Sequence, residues 1–393
     1  MRVHHLNCIS SCPLGGRLMD GGPEGVLTRG TLTCHCLLLE TDAGLVLCDT
    51  GFGLRDVADP KSRLSTFFLA LVSPDFREEM TARRQIERLG FRAEDVRHIV
   101  LTHLDFDHAG GLDDFPAATV HMLGDERRAA LLQKTWLDRQ RYRPQQWSSK
   151  DRWKVYDARS GESWHGFERV GPLTGLPPEI LFVPLIGHTL GHAGIAIDRG
   201  DKWLFMAGDA YFFHQEMHAT RPCCTPGLRF YQWMMDKDRA QRRHNQDRLR
   251  GLLSQNAGNI ELFCSHDVKE FERLAGRHPG VPLGRGQVQS FTVLPAATRM
   301  PDSRNRLCRV KTHVSLFTSS GNTHETRTYP FCPDIQRRVV EPFDTGADCA
   351  EPIQWAGAAS DPICGSVATT RTVCRPRHAI GCERRRTRVG FGG

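Results

Sequence analysis

The stretch HIVLTHLDFDHAGG, residues 98–111, decides the reading of this chain. Its first five residues, HIVLT, form a short apolar, β-branched run of the kind that builds a buried strand. Polarity then rises abruptly. His103, Asp105, Asp107 and His108 fall within six residues, and Gly110 and Gly111 let the chain turn tightly behind them. Imidazole and carboxylate both bind borderline divalent cations, so four such side chains on one loop at a strand end can converge on one or two metal ions.

Three later segments repeat the arrangement of a His or Asp directly after an apolar run. IGHTLGH (186–192) follows EILFVPL (179–185), Gly208-Asp209 closes KWLFMAG (202–208), and Ser265-His266-Asp267 ends NIELFCS (259–265). His188, Asp209 and His266 are thereby placed where strands end, at the rim where the loops of a sheet sandwich meet. Around them the pattern alternates. Residues 33–40 and 44–49 read as a hairpin through Asp42-Ala43-Gly44, a helix is expected over 77–89, strands over 118–123 and 193–199, and helices over 124–133 and 232–254, with a short helix last. Strand and helix alternating between groups of strands predict an α/β chain with two sheets and helices outside. No GxGxxG follows a strand and no GxxxxGK[ST] occurs, so nucleotide-binding folds lose their main evidence.

The order of these motifs resembles the metallo-β-lactamase fold superfamily of metal-dependent hydrolases, whose signature is a strand, HxHxDH, a GHTxGH-like segment, an Asp in a GD pair and a final His. The resemblance covers roughly residues 1–285 and includes the supporting DTG, here Asp49-Thr50-Gly51. It implies a four-layer αββα sandwich. It also implies a ligand set in which His103, Asp105 and His188 hold one metal, Asp107, His108 and His266 hold a second, and Asp209 bridges the two. His192 is expected to support the site rather than ligate.

One position departs from the signature. Asp105 stands where the family has the second histidine of HxHxDH. A carboxylate still ligates, and its hard oxygen favours metals such as iron or manganese, although zinc stays first among the two divalent ions implied. A Glu at this place occurs in the flavodiiron relatives, which perform redox chemistry. The alternative for Asp105 is that it points away and one metal binds. The chemistry implied is hydrolytic: two cations sharing Asp209 and a water bring that water's pKa down to about 7, and the hydroxide opens the carbonyl of a small ester or lactone. Asp107 would orient the water or accept its proton. The motif layout is similar to the acyl-homoserine lactonase branch, where a tyrosine soon after the bridging Asp contacts substrate, which makes Tyr211 a second catalytic candidate. Thioester hydrolysis of the glyoxalase-II kind, with Lys269 and Arg273 as weak candidates for gripping substrate, and a flavodiiron-type redox protein are the other readings.

Composition narrows the partners to a small-molecule substrate. The formal net charge is +7, but residues 301–393 carry 14 Lys and Arg against 9 Asp and Glu, so the body is nearly neutral and offers no nucleic-acid footprint. The longest apolar run, Leu64 to Val72, is too short to cross a bilayer. The start MRVHHLNCISSCPLGG lacks a basic patch followed by an apolar run, which makes the cytoplasm the expected compartment. Among 14 cysteines, Cys34 and Cys36 share one face of an apolar strand and are expected as buried thiols. The chain therefore divides into a hydrolase domain, 1–285, and residues 286–393, a linker and disordered tail without apolar periodicity. Its Arg-heavy composition would also suit translation through a shifted frame. The segment 64–76, LSTFFLALVSPDF, reads as an insertion in which Phe67, Phe68 and Leu71 form either a wall for an apolar substrate group or plain core.

Overall fold

Side chains alternate across the strands of this chain so regularly that they dictate three apolar layers. The computed structural model describes residues 1–283 apart from 159 and 169, and among these residues ten strands form two sheets. The first sheet runs β1 (Arg2–Asn7), β2 (His35–Thr41), β3 (Gly44–Cys48), β4 (Val96–Val100), β5 (Thr119–Leu123) and β6 (Trp153–Tyr156) in spatial order. Its first two pairings are antiparallel and the next three parallel. The second sheet contains β7 (Ile180–Pro184), β8 (Ala193–Asp198), β9 (Trp203–Met206) and β10 (Ile260–Phe263) in the order β10-β9-β8-β7, with only β10 and β9 parallel.

Leu37, Leu39, Val46 and Cys48 point from the first sheet toward Phe182, Ile195, Ile197 and Met206 of the second. Their neighbours of opposite parity, Cys36, Leu38, Leu45 and Leu47, face outward and pack with Ile86 of the helix Ala82–Arg88. On the far side, Val183, Ala196 and Phe205 meet Leu249 and Leu252 of the helix Arg239–Gln255. Each fully buried aliphatic or aromatic side chain contributes roughly 1.5–3 kcal/mol, so the alternation alone fixes the αββα layering. This is the expected fold class.

The hairpin turns at Asp42 to Gly44 as read, and most other elements lie within a few residues of expectation. The strand expected over 98–102 ends at Val100, which leaves Leu101 and Thr102 to the polar loop. The helix expected over 77–89 begins later, because Thr81 caps it by accepting from the Arg84 amide. The long polar helix is two helices, Pro226–Met235 and Arg239–Gln255, the second capped by the Asp238 carboxylate on the Gln241 amide. Residues 286–393, read as linker and disordered tail, lie outside the described residues.

All eight described cysteines are free thiols. Cys34 and Cys36 are buried on the same face, and Cys34 Sγ donates to the Asp107 carbonyl at 2.9 Å, directly beneath the polar loop. No helix among the described residues is long and apolar enough to cross a membrane. The loops that follow β3, β4, β7, β9 and β10 come together at one rim. Backbone bonds stitch them within and across the sheets: Asp49 donates to Val100 in the first, Ser265 to Gly208 in the second, and Ala193 to Thr102 and His35 to Ser265 between the two.

Candidate metal centre

Seven side chains read from the sequence, His103, Asp105, Asp107, His108, His188, Asp209 and His266, are brought together at this rim, all of them buried. Their ligand atoms form three overlapping groups: His103, Asp105 and His188; His103, His108 and Asp209; Asp107, His108 and His266. Asp209 stands between two halves. Its Oδ2 lies 3.4 Å from His188 Nε2 and 3.8 Å from His103 Nε2, Oδ1 lies 3.3 Å from His108 Nε2, and His266 Nε2 is 3.2 Å from both oxygens. Asp105 does not point away: its Oδ2 is 3.3 Å from His103 Nε2 and 3.1 Å from His188 Nε2. Asp107 reaches the other half, with Oδ2 at 3.9 Å from His266 Nε2.

The hydrogen bonds behind the rings fix which nitrogen faces the cluster. Thr102 Oγ1 donates to Asp49 Oδ2 at 2.7 Å and therefore accepts from His103 Nδ1 at 2.9 Å. Asp49 also accepts from His108 Nδ1 at 2.8 Å, and the Thr33 carbonyl accepts from His266 Nδ1 at 2.7 Å. With Nδ1 of all three rings donating outward, Nε2 is left to present a lone pair inward. His103 Nε2, His108 Nε2 and Asp209 Oδ1 are buried without a hydrogen-bond partner. Orphaned buried polar atoms are costly, and here they converge, so the residues fit a divalent metal centre with imidazole and carboxylate donors.

Electrostatics agree. Burial pushes the Asp209 carboxyl up, but His266 and His108 outweigh it and hold the group well below the usual carboxylate range. Burial likewise disfavours charge on His108, yet the carboxylates of Asp209, Asp49 and Asp107 raise it well above an ordinary histidine. This field stabilises positive charge. Asp107 is raised, mainly by burial. At 7% exposure it is the most open of the three clustered carboxylates, against 2% for Asp105 and 3% for Asp209.

Two backbone positions need glycine for this geometry. At Gly51, with φ +64°, a Cβ would fall 2.2 Å from the Cβ of Cys8. At Gly208, with φ +56°, it would fall 2.6 Å from His192 Nε2. That imidazole nitrogen accepts from the Asp209 amide at 2.9 Å, and Nδ1 of the same ring donates to the Leu185 carbonyl, so His192 positions Asp209 and faces away from the cluster.

Tyr211, expected as a substrate contact, is placed elsewhere. It is fully buried on the outer face of the second sheet, and its hydroxyl donates to Glu270 at 2.9 Å. Spacing misled here: two residues after Asp209 the chain has turned back into the core. Phe212 stacks on His266 at 4.9 Å instead. Tyr231 packs on Phe212 with ring centroids 5.7 Å apart, and its hydroxyl is raised by burial and by the carboxylates of Asp107, Asp105 and Asp209. It arrives from the helix Pro226–Met235, far along the chain, with no local signal. His214 pairs with Asp267 at 2.7 Å, and Arg273 donates to the Leu262 carbonyl.

Two further residues carried no signal in the sequence. Glu126, at the start of the helix Gly124–Leu132, accepts from the Leu104 amide at 2.9 Å, the Gly191 amide at 3.2 Å and the Thr189 hydroxyl, tying the HLDFDH loop to the GHTLGH loop. Burial raises its carboxyl to about 7. Arg141, at the end of the helix Trp136–Arg141, forms an ion pair with Asp105.

Comparison with known proteins places this geometry. The sequence model of the metallo-beta-lactamase superfamily matches residues 29–248. A probable metallo-hydrolase of Mycobacterium tuberculosis is 40% identical over 267 residues, which cover 68% of this chain and 80% of that protein. An N-acyl homoserine lactonase of Bacillus cereus is 32% identical over 129 residues, 32% of this chain and about half (52%) of the lactonase. Among solved structures, an N-acyl homoserine lactone hydrolase with the product N-hexanoyl-L-homoserine at its catalytic metal center aligns with a TM-score of 0.53 at 20% identity. The alignment covers 69% of this chain and 95% of that one, a likeness of fold.

Proposed function

The chain belongs to the metallo-beta-lactamase superfamily, and from that premise we propose that it is a metal-dependent hydrolase that opens a small ester or lactone. The observation that carries this reading is Asp209, with Oδ2 turned to His103 and His188, Oδ1 turned to His108, and both oxygens 3.2 Å from His266 Nε2. Such a carboxylate suits two divalent ions, zinc first among them. His103, Asp105 and His188 would hold one and Asp107, His108 and His266 the other. When bound, the ions would supply Lewis-acid charge for a carbonyl oxygen and acidify a water at neutral pH.

The chain's own residues divide the remaining work. Asp107, the most open carboxylate, is placed to orient the attacking water and accept its proton at Oδ2. Tyr231, half-buried beside the three carboxylates, is placed to donate its hydroxyl to a substrate oxygen. Phe212, stacked on His266, keeps the wall behind that ring dry.

A lactone or ester with an apolar acyl group matches the surroundings. Leu190 in the GHTLGH loop, Phe230 and Trp233 on the helix that carries Tyr231, and Trp136 on the helix that carries Arg141 are exposed. Half-buried Phe67 packs edge-on against Trp136 at 5.1 Å. Phe68, in contrast, is 1% exposed and belongs to the core against Phe106. The lactonase relatives support the same substrate class.

The test is a panel of acyl lactones, aryl esters and thioesters offered to the zinc-supplemented full chain and to its His103→Ala variant. The reading expects turnover of lactones or esters that the variant lacks. Equal turnover by the variant, or none on the panel, would overturn it.

A further inference from the structure

Arg141 ends the helix Trp136–Arg141 and is completely buried. A buried guanidinium has to find partners for its N–H groups, and Arg141 spends most of them on the metal cluster. Nε donates to Asp105 Oδ1 at 2.7 Å and Nη2 to Asp105 Oδ2 at 2.5 Å, a two-pronged pairing with the carboxylate. Nη2 also lies 2.9 Å from His188 Nε2. Nη1 donates to the Met235 carbonyl at 2.7 Å and to the His188 carbonyl at 3.4 Å, which fixes the group from behind.

Two atoms therefore serve two masters. Asp105 Oδ2 and His188 Nε2 belong to the His103, Asp105 and His188 group, and both are already engaged by Nη2. His188 Nε2 lies 2.9 Å from Nη2 and 3.1 Å from Asp105 Oδ2, so it either accepts from the guanidinium or donates to the carboxylate, and in both cases the lone pair that a metal would need is not free. The charge of Asp105 is also offset by its partner. The other half differs. Among the described residues no lysine or arginine forms an ion pair with Asp107 or Asp209; Nε2 of His103 and of His108 alike has no hydrogen-bond partner, so Arg141 engages only Asp105 and His188 of the seven.

We propose that Arg141 makes the two metal subsites unequal. The Asp107, His108 and His266 subsite, with Asp209, takes a divalent cation tightly, while the His103, Asp105 and His188 subsite takes one weakly because the guanidinium holds its carboxylate and imidazole. Asp105 is then one half of a coupled pair, and the arginine accounts for a carboxylate at the position where the signature HxHxDH has its second histidine. This inference rests on the metal-centre reading of the site.

The test is titration of the chelator-treated full chain with Zn(II) against a competing chromophoric chelator, giving stepwise dissociation constants, with metal per chain measured after dialysis. Constants separated by about tenfold or more are expected, as is about one metal ion per dialysed chain. Constants closer than that overturn the proposal. The double variant D105H/R141M removes both charges together, so no buried carboxylate is stranded. In it the weaker constant should tighten by about tenfold or more while the tighter one stays in place. A folded double variant with an unchanged weaker constant overturns the proposal, and if that variant fails to fold, the wild-type titration decides. Absence of any metal binding would instead defeat the metal-centre reading itself, an outcome distinct from two equal sites.

Discussion

The carboxylate of Asp49 accepts from His108 Nδ1 at 2.8 Å and from the Thr102 hydroxyl at 2.7 Å, both on Oδ2, while Oδ1 accepts from the Thr102 amide. One side chain thus aims a cluster imidazole and anchors the end of β4. Asp49 itself sits at φ +55°, a backbone region that most residues avoid, and these bonds hold it there. Asn tolerates the same backbone but replaces one acceptor oxygen with a donor. Asp49→Asn is expected to fold and to bind metal roughly 10–100-fold more weakly, as loss of a partner behind a ligand typically does. Metal competition alongside a melting curve checks this. Unchanged affinity would show that the ring is oriented by something other than Asp49.

The two tyrosines separate position in sequence from position in space. Tyr211→Phe removes a buried bond to Glu270 and is expected to cost about 1 kcal/mol of stability while leaving kcat/KM alone. Tyr231→Phe is expected to keep the metal content and lower kcat/KM by about tenfold, the worth of one hydrogen bond to a reacting oxygen. The reverse pattern would return the role to Tyr211.

These placements show what could be read in advance. Two sheets with helices outside were legible in the order of strands and helices, and the αββα layering in the resemblance of the motifs; the structure adds that Leu37, Leu39, Val46 and Cys48 bury one face and Cys36, Leu38, Leu45 and Leu47 the other. The seven cluster residues were legible because each follows a strand. β1 was not, since His4 and His5 break its apolar pattern and His4 is buried through a bond to Glu40. β6 has half-exposed or exposed side chains at every position and reads as loop. Arg141, Glu126 and Tyr231 reach the site through long-range packing. Their local sequence carries no trace of it.

Glu270 gives the fold a pH dependence. Burial, with Asp267 adding to it, raises its carboxyl from 4.5 to about 8. The folded state therefore keeps a proton that the unfolded chain releases near pH 4.5. Its contribution is complete below that point and is lost as pH rises through about 8. Denaturant melts should show stability declining from pH 5 to 8.5, by roughly 1–3 kcal/mol. Glu270→Gln should flatten that slope, and an unchanged slope would assign it to another group.

Phe68 lies 1% exposed between Phe67 and Phe106, with ring centroids 5.0 and 4.5 Å away, so the 66–72 helix is pinned onto the polar loop from outside. Phe68→Ala is expected to cost roughly 3–5 kcal/mol by opening a cavity, with substrate preference unchanged. Calorimetry and the substrate panel together check it. A shift in preference without loss of stability would make Phe68 part of the substrate wall.

On the proposed function, turnover depends on metal held by the cluster around Asp209. The most direct test is kcat/KM of the full chain on its best lactone or ester substrate, measured as purified, after exhaustive chelation and after zinc is restored. Activity is expected to be lost on chelation and to recover with zinc. Activity that survives complete metal removal would contradict the proposed function.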